Sequence, residues 1–370
     1  MNMSSADTRR FVVLDSFRGL CALCVVVFHQ HLLQGFSELT FFRSAGLMVE
    51  FFFTLSGFVL AHRYRRESFD RPAFGQFVIS RSFRVLPLHL TMLLLFSLPL
   101  LWQLISASIA SGQIHALLTG SGLKRQWLYQ LFLLQAWLPA ADPFAFNGPA
   151  WSISVEYYLY LGFGLVLLLD FRRSQIAFAV IVALCSLAVL LRLDFTSSGG
   201  FRGITCFFTG ALAYGCLDWL QHRRPDKTLG TLLEVLTVLI LYYVITGHYP
   251  AKSFIATWVF SIAIILFSFE SGVVSQLLHG RWFVKLGQWS FSIYLTHYAL
   301  LHVLQWTMQR FWPEALVTVE DGPVYLSTDS YIGDNLLGIA MLVLVVLISR
   351  ISYRQIELRG IAWGKAWSRR

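Results

Sequence analysis

Arg18 and His29 stand eleven residues apart in an otherwise apolar stretch, LDSFRGLCALCVVVFHQH over residues 14–31. At 3.6 residues per turn that spacing is about three turns, so both side chains leave one helical stripe, roughly 16 Å apart along the axis. Asp15 precedes Arg18 by three residues and can pair with it at the helix mouth. Ionisable groups in such a stretch cost at least ~2.5–3.5 kcal/mol at a bilayer centre, so they face a polar interior and mark function. Glu50 in MVEFFFTLSGFVL, Glu156 in NGPAWSISVEYYLYL and His297 in LGQWSFSIYLTHYAL are expected near the depth of His29. A histidine beside a carboxylate is a general base for a hydroxyl, the acid fixing the tautomer and stabilising the imidazolium. His29 is therefore the candidate base, with Glu50 or Glu156 to orient it. No glycine-rich phosphate loop or nucleophile elbow points to a kinase or a hydrolase. A cationic inner mouth of Arg18, Arg81 and Arg84 suits a phosphorylated cytosolic cofactor whose reactive end reaches the histidine layer. His31 projects away from His29 and is read, with His89, His115, His222 and His248, as packing.

The elements that must position these groups are membrane helices. Of 370 residues 56% are hydrophobic and 13% charged, and the mean hydropathy is +0.62, which excludes an ordinary soluble domain. Ten stretches approach the roughly 20 apolar residues that cross a bilayer: 16–33, 45–62, 83–105, 151–169, 175–192, 201–220, 229–247, 253–269, 286–306 and 333–350. The expected fold is all-α and polytopic. With the N-terminus inside, 22 of the 29 Lys and Arg residues fall on the inner side, six of them in the loop 62–84. That partition predicts both termini cytoplasmic. The net charge of +9 is thus a topology signal aided by anionic lipid, and it calls for no nucleic acid. Arg18 interrupts the first apolar run, so a cleaved signal peptide is not expected. All five cysteines fall in apolar spans, Cys21 and Cys24 as an isolated C-x-x-C, and neither zinc nor a disulfide is expected. The piece Gln126 to Leu138 is too short to span and is expected to lie at the interface or re-enter. The outer loop 307–332 is acidic and broken by Pro313, Gly322 and Pro323. No segment is long and polar enough for a separate soluble domain, so residues 1–370 read as one membrane unit, without an inverted repeat.

In order along the chain, LDSFRGLCALCVVVFH, GLMVEFFFTLSGFVL, SRSFRVLPLHL, GPAWSISVEYYLY, LGQWSFSIYLTHY and YRQIELR resemble the motifs of the membrane-bound acyltransferase-3 type O-acyltransferases. The resemblance covers about residues 14–357. It implies transfer of an acyl group, expected to be acetyl from acetyl-CoA, to a hydroxyl of a carbohydrate such as a cell-surface polysaccharide or glycolipid. It further implies His29, Glu50 and Glu156 as catalytic, Arg18, Arg81 and Arg84 as donor-binding, and Ser152, Tyr294 and His297 as substrate-binding. No metal is expected. Partners would be the carbohydrate, acyl-CoA, membrane lipids and other cell-envelope glycan-synthesis proteins, in a bacterial inner membrane. Two departures stand out: Tyr157 and Tyr158 follow Glu156 where the family has a second acid or glutamine, and Leu358 follows Glu357 in place of proline. No fused extracytoplasmic esterase-like domain is expected, so transfer would be direct. The rival reading is a transporter or flippase using the same ionisable layer for protons or substrate.

The charge partition predicts that fluorescent-protein fusions ending at Arg224 are bright and phosphatase fusions ending at Arg310 are active. The reverse pattern would invert the topology.

Overall fold

The computed structural model describes residues 10–65, 69–111, 122–220, 222–319 and 323–368. Arg9, Arg66, His115, Gly322, Arg369 and Arg370 lie outside them. Among the described residues the protein is all-α apart from one hairpin. Its helices are α1 (Val12–His29), α2 (Thr40–Arg43), α3 (Met48–Tyr64), α4 (Arg71–Ser111), α5 (Leu123–Leu131), α6 (Ala150–Leu167), α7 (Phe171–Leu190), α8 (Gly199–Leu220), α9 (Lys227–Thr246), α10 (Lys252–Ser268), α11 (Val273–Leu278), α12 (Arg281–Phe311), α13 (Tyr331–Ser352) and α14 (Leu358–Trp367). Strands β1 (Leu316–Thr318) and β2 (Val324–Leu326) pair antiparallel.

A helix covers each of the ten expected spans, and among the described residues eight helices are long and apolar enough to cross a membrane. The other two differ for separate reasons. Helix α10 has 17 residues, just short of a full crossing, whereas α12 has 31 but carries Ser290, Ser292, Thr296 and His297, all buried. Those polar residues lower the hydropathy of α12, and their burial inside protein keeps them from lipid.

The chain divides into two compact units. The first comprises residues 1–28, 39–71 and 165–290. Its centre is the contact of α3 with α8, where small residues let two backbones meet: a Cβ at Gly57 would fall onto the Phe207 carbonyl, and one at Gly210 onto that of Thr54. Helix α7 joins through Phe178 and Phe208, whose ring centroids lie 5.3 Å apart. Helix α10 joins through Cys206 Sγ and Thr257 Oγ1 at 3.0 Å.

The second unit comprises residues 29–38, 72–164 and 291–370. The expected amphipathic piece is helical only to Leu131; beyond it the chain runs as irregular coil to Asn147, burying Leu133, Gln135 and Asn147 while Phe132, Leu138 and Phe144 stay exposed, with Leu133 (φ 55°) and Phe146 (φ 63°) in left-handed conformations. Leu133 is fully buried, so the coil's polar groups need partners inside the protein. They have them. Ser154 Oγ donates to Leu133 O (2.5 Å), Gln130 Nε2 to Ala145 O (2.7 Å), Gln135 Nε2 to Ala150 O (3.1 Å) and Asn147 Nδ2 to Leu295 O (3.0 Å).

Gly57→Leu or Gly210→Leu should wedge α3 from α8 and cost about 1–3 kcal/mol or more. A thermal-unfolding assay in detergent should show the loss, whereas Gly75→Ala, where a Cβ meets open space, should change little.

Candidate active site

His29 is the last residue of α1, and two sets of contacts fix where it stands. Before it, the Arg43 guanidinium donates to Val27 O (2.9 Å) and Phe28 O (2.8 Å), satisfying carbonyls that a helix C-terminus leaves unpaired. After it, the chain is stitched into the second unit. Leu326 N donates to His31 O (2.8 Å), Leu33 N to Leu326 O (3.0 Å), Gln34 N to Asp334 Oδ2 (2.9 Å) and Phe36 N to Asn335 Oδ1 (2.9 Å). A terminal histidine that would otherwise fray is thereby held at a fixed height.

Its ring faces His297 on α12, with His297 Nε2 3.2 Å from His29 Nδ1. The second nitrogen of His297, Nδ1, lies 3.2 Å from Ile293 O. A carbonyl can only accept, so this contact puts the proton of a neutral His297 on Nδ1 and makes its Nε2 an acceptor. His29 must then donate from Nδ1, which places its basic lone pair on Nε2. The tyrosine next in sequence, Tyr298, packs edge-on against His29 (5.5 Å between centroids) and His302 (4.4 Å). Behind His297, Ser152 Oγ and Tyr294 Oη lie 2.8 Å apart, each also within reach of Pro149 O. The motif around Ser152 and the motif around Tyr294 and His297 are thus brought together.

The remaining candidates have other neighbours. Glu156 Oε1 accepts from Tyr160 Oη at 2.5 Å, and the Arg81 guanidinium lies over the Tyr160 ring at 5.5 Å. Arg81 and Glu156 therefore share one tyrosine, although the sequence reading puts them at different depths. Arg84 stands half-buried one turn beyond Arg81 on α4. Glu50, buried in the first unit, has Ser253 Oγ at 2.9 Å and Arg202 Nε at 3.4 Å as its partners. Arg18 is half-buried, and the partner described for Asp15 is Arg10, Nη2 to Oδ2 at 2.8 Å, in place of Arg18. The groups missed from the sequence are Tyr298, His302, Asn147 and Arg202. Tyr298 adjoins His297 in the same motif but carries no chemical signal of its own; Asn147 hides in an NGP turn signal; Arg202 looks like one more exterior cation.

An acyltransferase-domain family model matches residues 11–354. The acyltransferase MdmB of Streptomyces mycarofaciens is 27% identical over 79% of this chain and 80% of its own length. BcsY of Komagataeibacter xylinus, named as a membrane-bound transacylase, is 24% identical over 94% of this chain and 82% of its own. Protein 2 of the picA locus of Rhizobium radiobacter is 32% identical over 42% of this chain and 81% of its own length. No solved structure matches the chain.

The contacts at Ile293 and His297 predict the Nδ1–H tautomer for His29. Solid-state NMR of ¹⁵N-histidine-labelled protein, with the His29 signals assigned by their loss in His29→Ala, checks it; a protonated Nε2 in the neutral ring would overturn the order of donors.

Proposed function

The chain belongs to the acyltransferase-3 family of integral-membrane acyltransferases, and from that premise we propose that it moves an acetyl group from acetyl-CoA to a carbohydrate hydroxyl in a bacterial inner membrane. The observation that carries the proposal is the His29–His297 hydrogen bond. As the acceptor oxygen attacks the thioester carbonyl, its proton passes to His29 Nε2. The imidazolium so formed donates from Nδ1 to His297 Nε2, a bond that strengthens when the donor becomes charged. When the tetrahedral intermediate collapses, the C–S bond breaks and the proton on Nε2 passes to the departing CoA sulfur. The products are the ester and free CoA, and His29 returns to its starting form.

His297 thus does for His29 what a carboxylate commonly does, fixing the tautomer without adding a charge to a dry site. By sequence, Glu50 or Glu156 was expected in that role. Arg81 and Arg84 are proposed to bind the donor's phosphates, Arg18 being assigned to the donor on its motif alone. Ser152 and Tyr294 hold the wall behind His297. Glu156 is retained as a catalytic candidate through Tyr160, whose hydroxyl it accepts.

Purified protein given labelled acetyl-CoA and a saccharide pool should form a labelled ester. His29→Ala should lower the rate about 10²–10⁴-fold, and His297→Ala added to it should cost little more, because the two act as a unit. No ester from any saccharide would overturn the carbohydrate acceptor; a loss of only a few-fold in His29→Ala would overturn the base.

A further inference from the structure

A cavity of about 870 Å³ lies in the first unit at the ends of α7, α8 and α10, within the size range of small-ligand sites. Three cations line it: Arg192, Arg202 and Lys252. All three are on the side that the charge partition assigns to the exterior. Against them stand Asp194 in the lining and Glu50 behind Arg202, leaving an excess of one positive charge. Two of the cations are held in place. The buried Glu50 fixes Arg202 through Nε, and Lys252 Nζ donates to Ile245 O at 2.5 Å, at the end of α9.

Backbone dipoles add to the side chains. The first turns of α8 and α10 both contribute lining residues, Arg202 and Lys252 among them, so two positive helix ends meet there. Helix α10 follows Ala251 (φ 55°), which offers no side-chain acceptor to the first amides of the helix. A fixed guanidinium, a fixed ammonium and an uncapped helix start favour an oxyanion. Ser197, Ser253 and Thr257 in the same wall donate inward, to Asp194 O, Glu50 Oε1 and Ser253 O, so toward a sugar hydroxyl their oxygens can act as acceptors.

We infer that this cavity binds the saccharide acceptor through a carboxylate or phosphate that the saccharide carries, with Arg192, Arg202 and Lys252 as its ligands and Glu50 as the residue that positions Arg202. The inference rests on the carbohydrate reading of the acceptor, and binding without turnover separates the two.

The full chain in lipid nanodiscs is titrated calorimetrically with a glucuronate-containing oligosaccharide, its neutral glucose counterpart and glucose 1-phosphate. At least one anionic saccharide should bind about tenfold more tightly than the neutral one, an advantage of the size that charge-assisted pairing gives, and the two anionic arms identify which oxyanion it is. Arg192→Ala should reduce that preference several-fold and leave neutral binding unchanged. Arg202→Gln alone would strand a buried carboxylate and risk misfolding, so Arg202→Gln is combined with Glu50→Gln; the pair should fold and lose the preference. Glu50→Gln alone should lower the ratio of anionic to neutral affinity, which a merely structural role would not move. Equal affinity for anionic and neutral saccharides, or an unchanged preference in the double variant, would overturn the site. Acyl transfer to a neutral saccharide without any preference also overturns it while keeping the transfer reading. A preference retained in protein that transfers no acyl group keeps the site and overturns that reading.

Discussion

A hydrogen bond between two imidazoles orders nothing unless each ring is held from behind, and the second unit is built around supplying that hold. His297 sits within α12, where the carbonyl of Ile293, one turn earlier, fixes its proton. His29 has no following turn. Its support comes from a strand-like segment whose amides and carbonyls bond the β2 edge and the first turn of α13. The price of ending a helix at a reactive residue is four carbonyls without intrahelical partners, and Arg43 supplies donors for two of them.

The same constraint explains the buried positions of the coil that ends at Asn147. Non-helical backbone survives at membrane depth only where protein satisfies it. Gln130 and Ser154 bond carbonyls of the coil itself, and Gln135 and Asn147 tie it to the carbonyls of Ala150 and Leu295 in the neighbouring helices. Their reward is position: Asn147 bonds the carbonyl of Leu295, two residues before His297. A Cβ at the adjoining Gly148 would crowd the Tyr298 ring, which touches His29. Side chains with no chemical part to play thus set the distance between those that have one.

How much of this was legible beforehand follows from what each signal measures. Apolar length marked all ten helices, because burial in lipid and burial in protein demand the same side chains. The spacing of Arg18 and His29 fixed a helical stripe, since both lie on one element. Partner choice was not legible. Glu50 and Glu156 looked equivalent as acids at similar depths, yet one meets an arginine on α8 and the other a tyrosine one turn along its own helix. That His297 Nε2 lies against His29 Nδ1 was not legible either, because which residue of α12 faces His29 depends on the rotation of two helices that no local pattern records. The coil after Leu131 was anticipated only as a segment too short to cross; its satisfaction by glutamines and an asparagine is non-local.

The first unit holds a second buried carboxylate, Glu234 on α9, and the contrast with Glu50 separates structural from functional burial. Glu234 accepts from Gly272 N, Ser275 N and Ser275 Oγ at 2.5–3.0 Å, so both its oxygens are satisfied by the start of α11. That carboxylate caps a helix, and the backbone neutralises it. Glu50 is equally buried, but its Oε2 has no hydrogen-bond partner among the described residues, and its cation stands on a cavity wall. Leaving a buried acceptor unmade costs about 1–3 kcal/mol, a cost that packing alone gives no reason to keep. A carboxylate that must hold an arginine at a fixed place, while leaving that arginine able to engage an anion from the cavity, is bound to be less fully satisfied than one that caps a helix. The unequal treatment of two acids in one unit is what that division of labour requires.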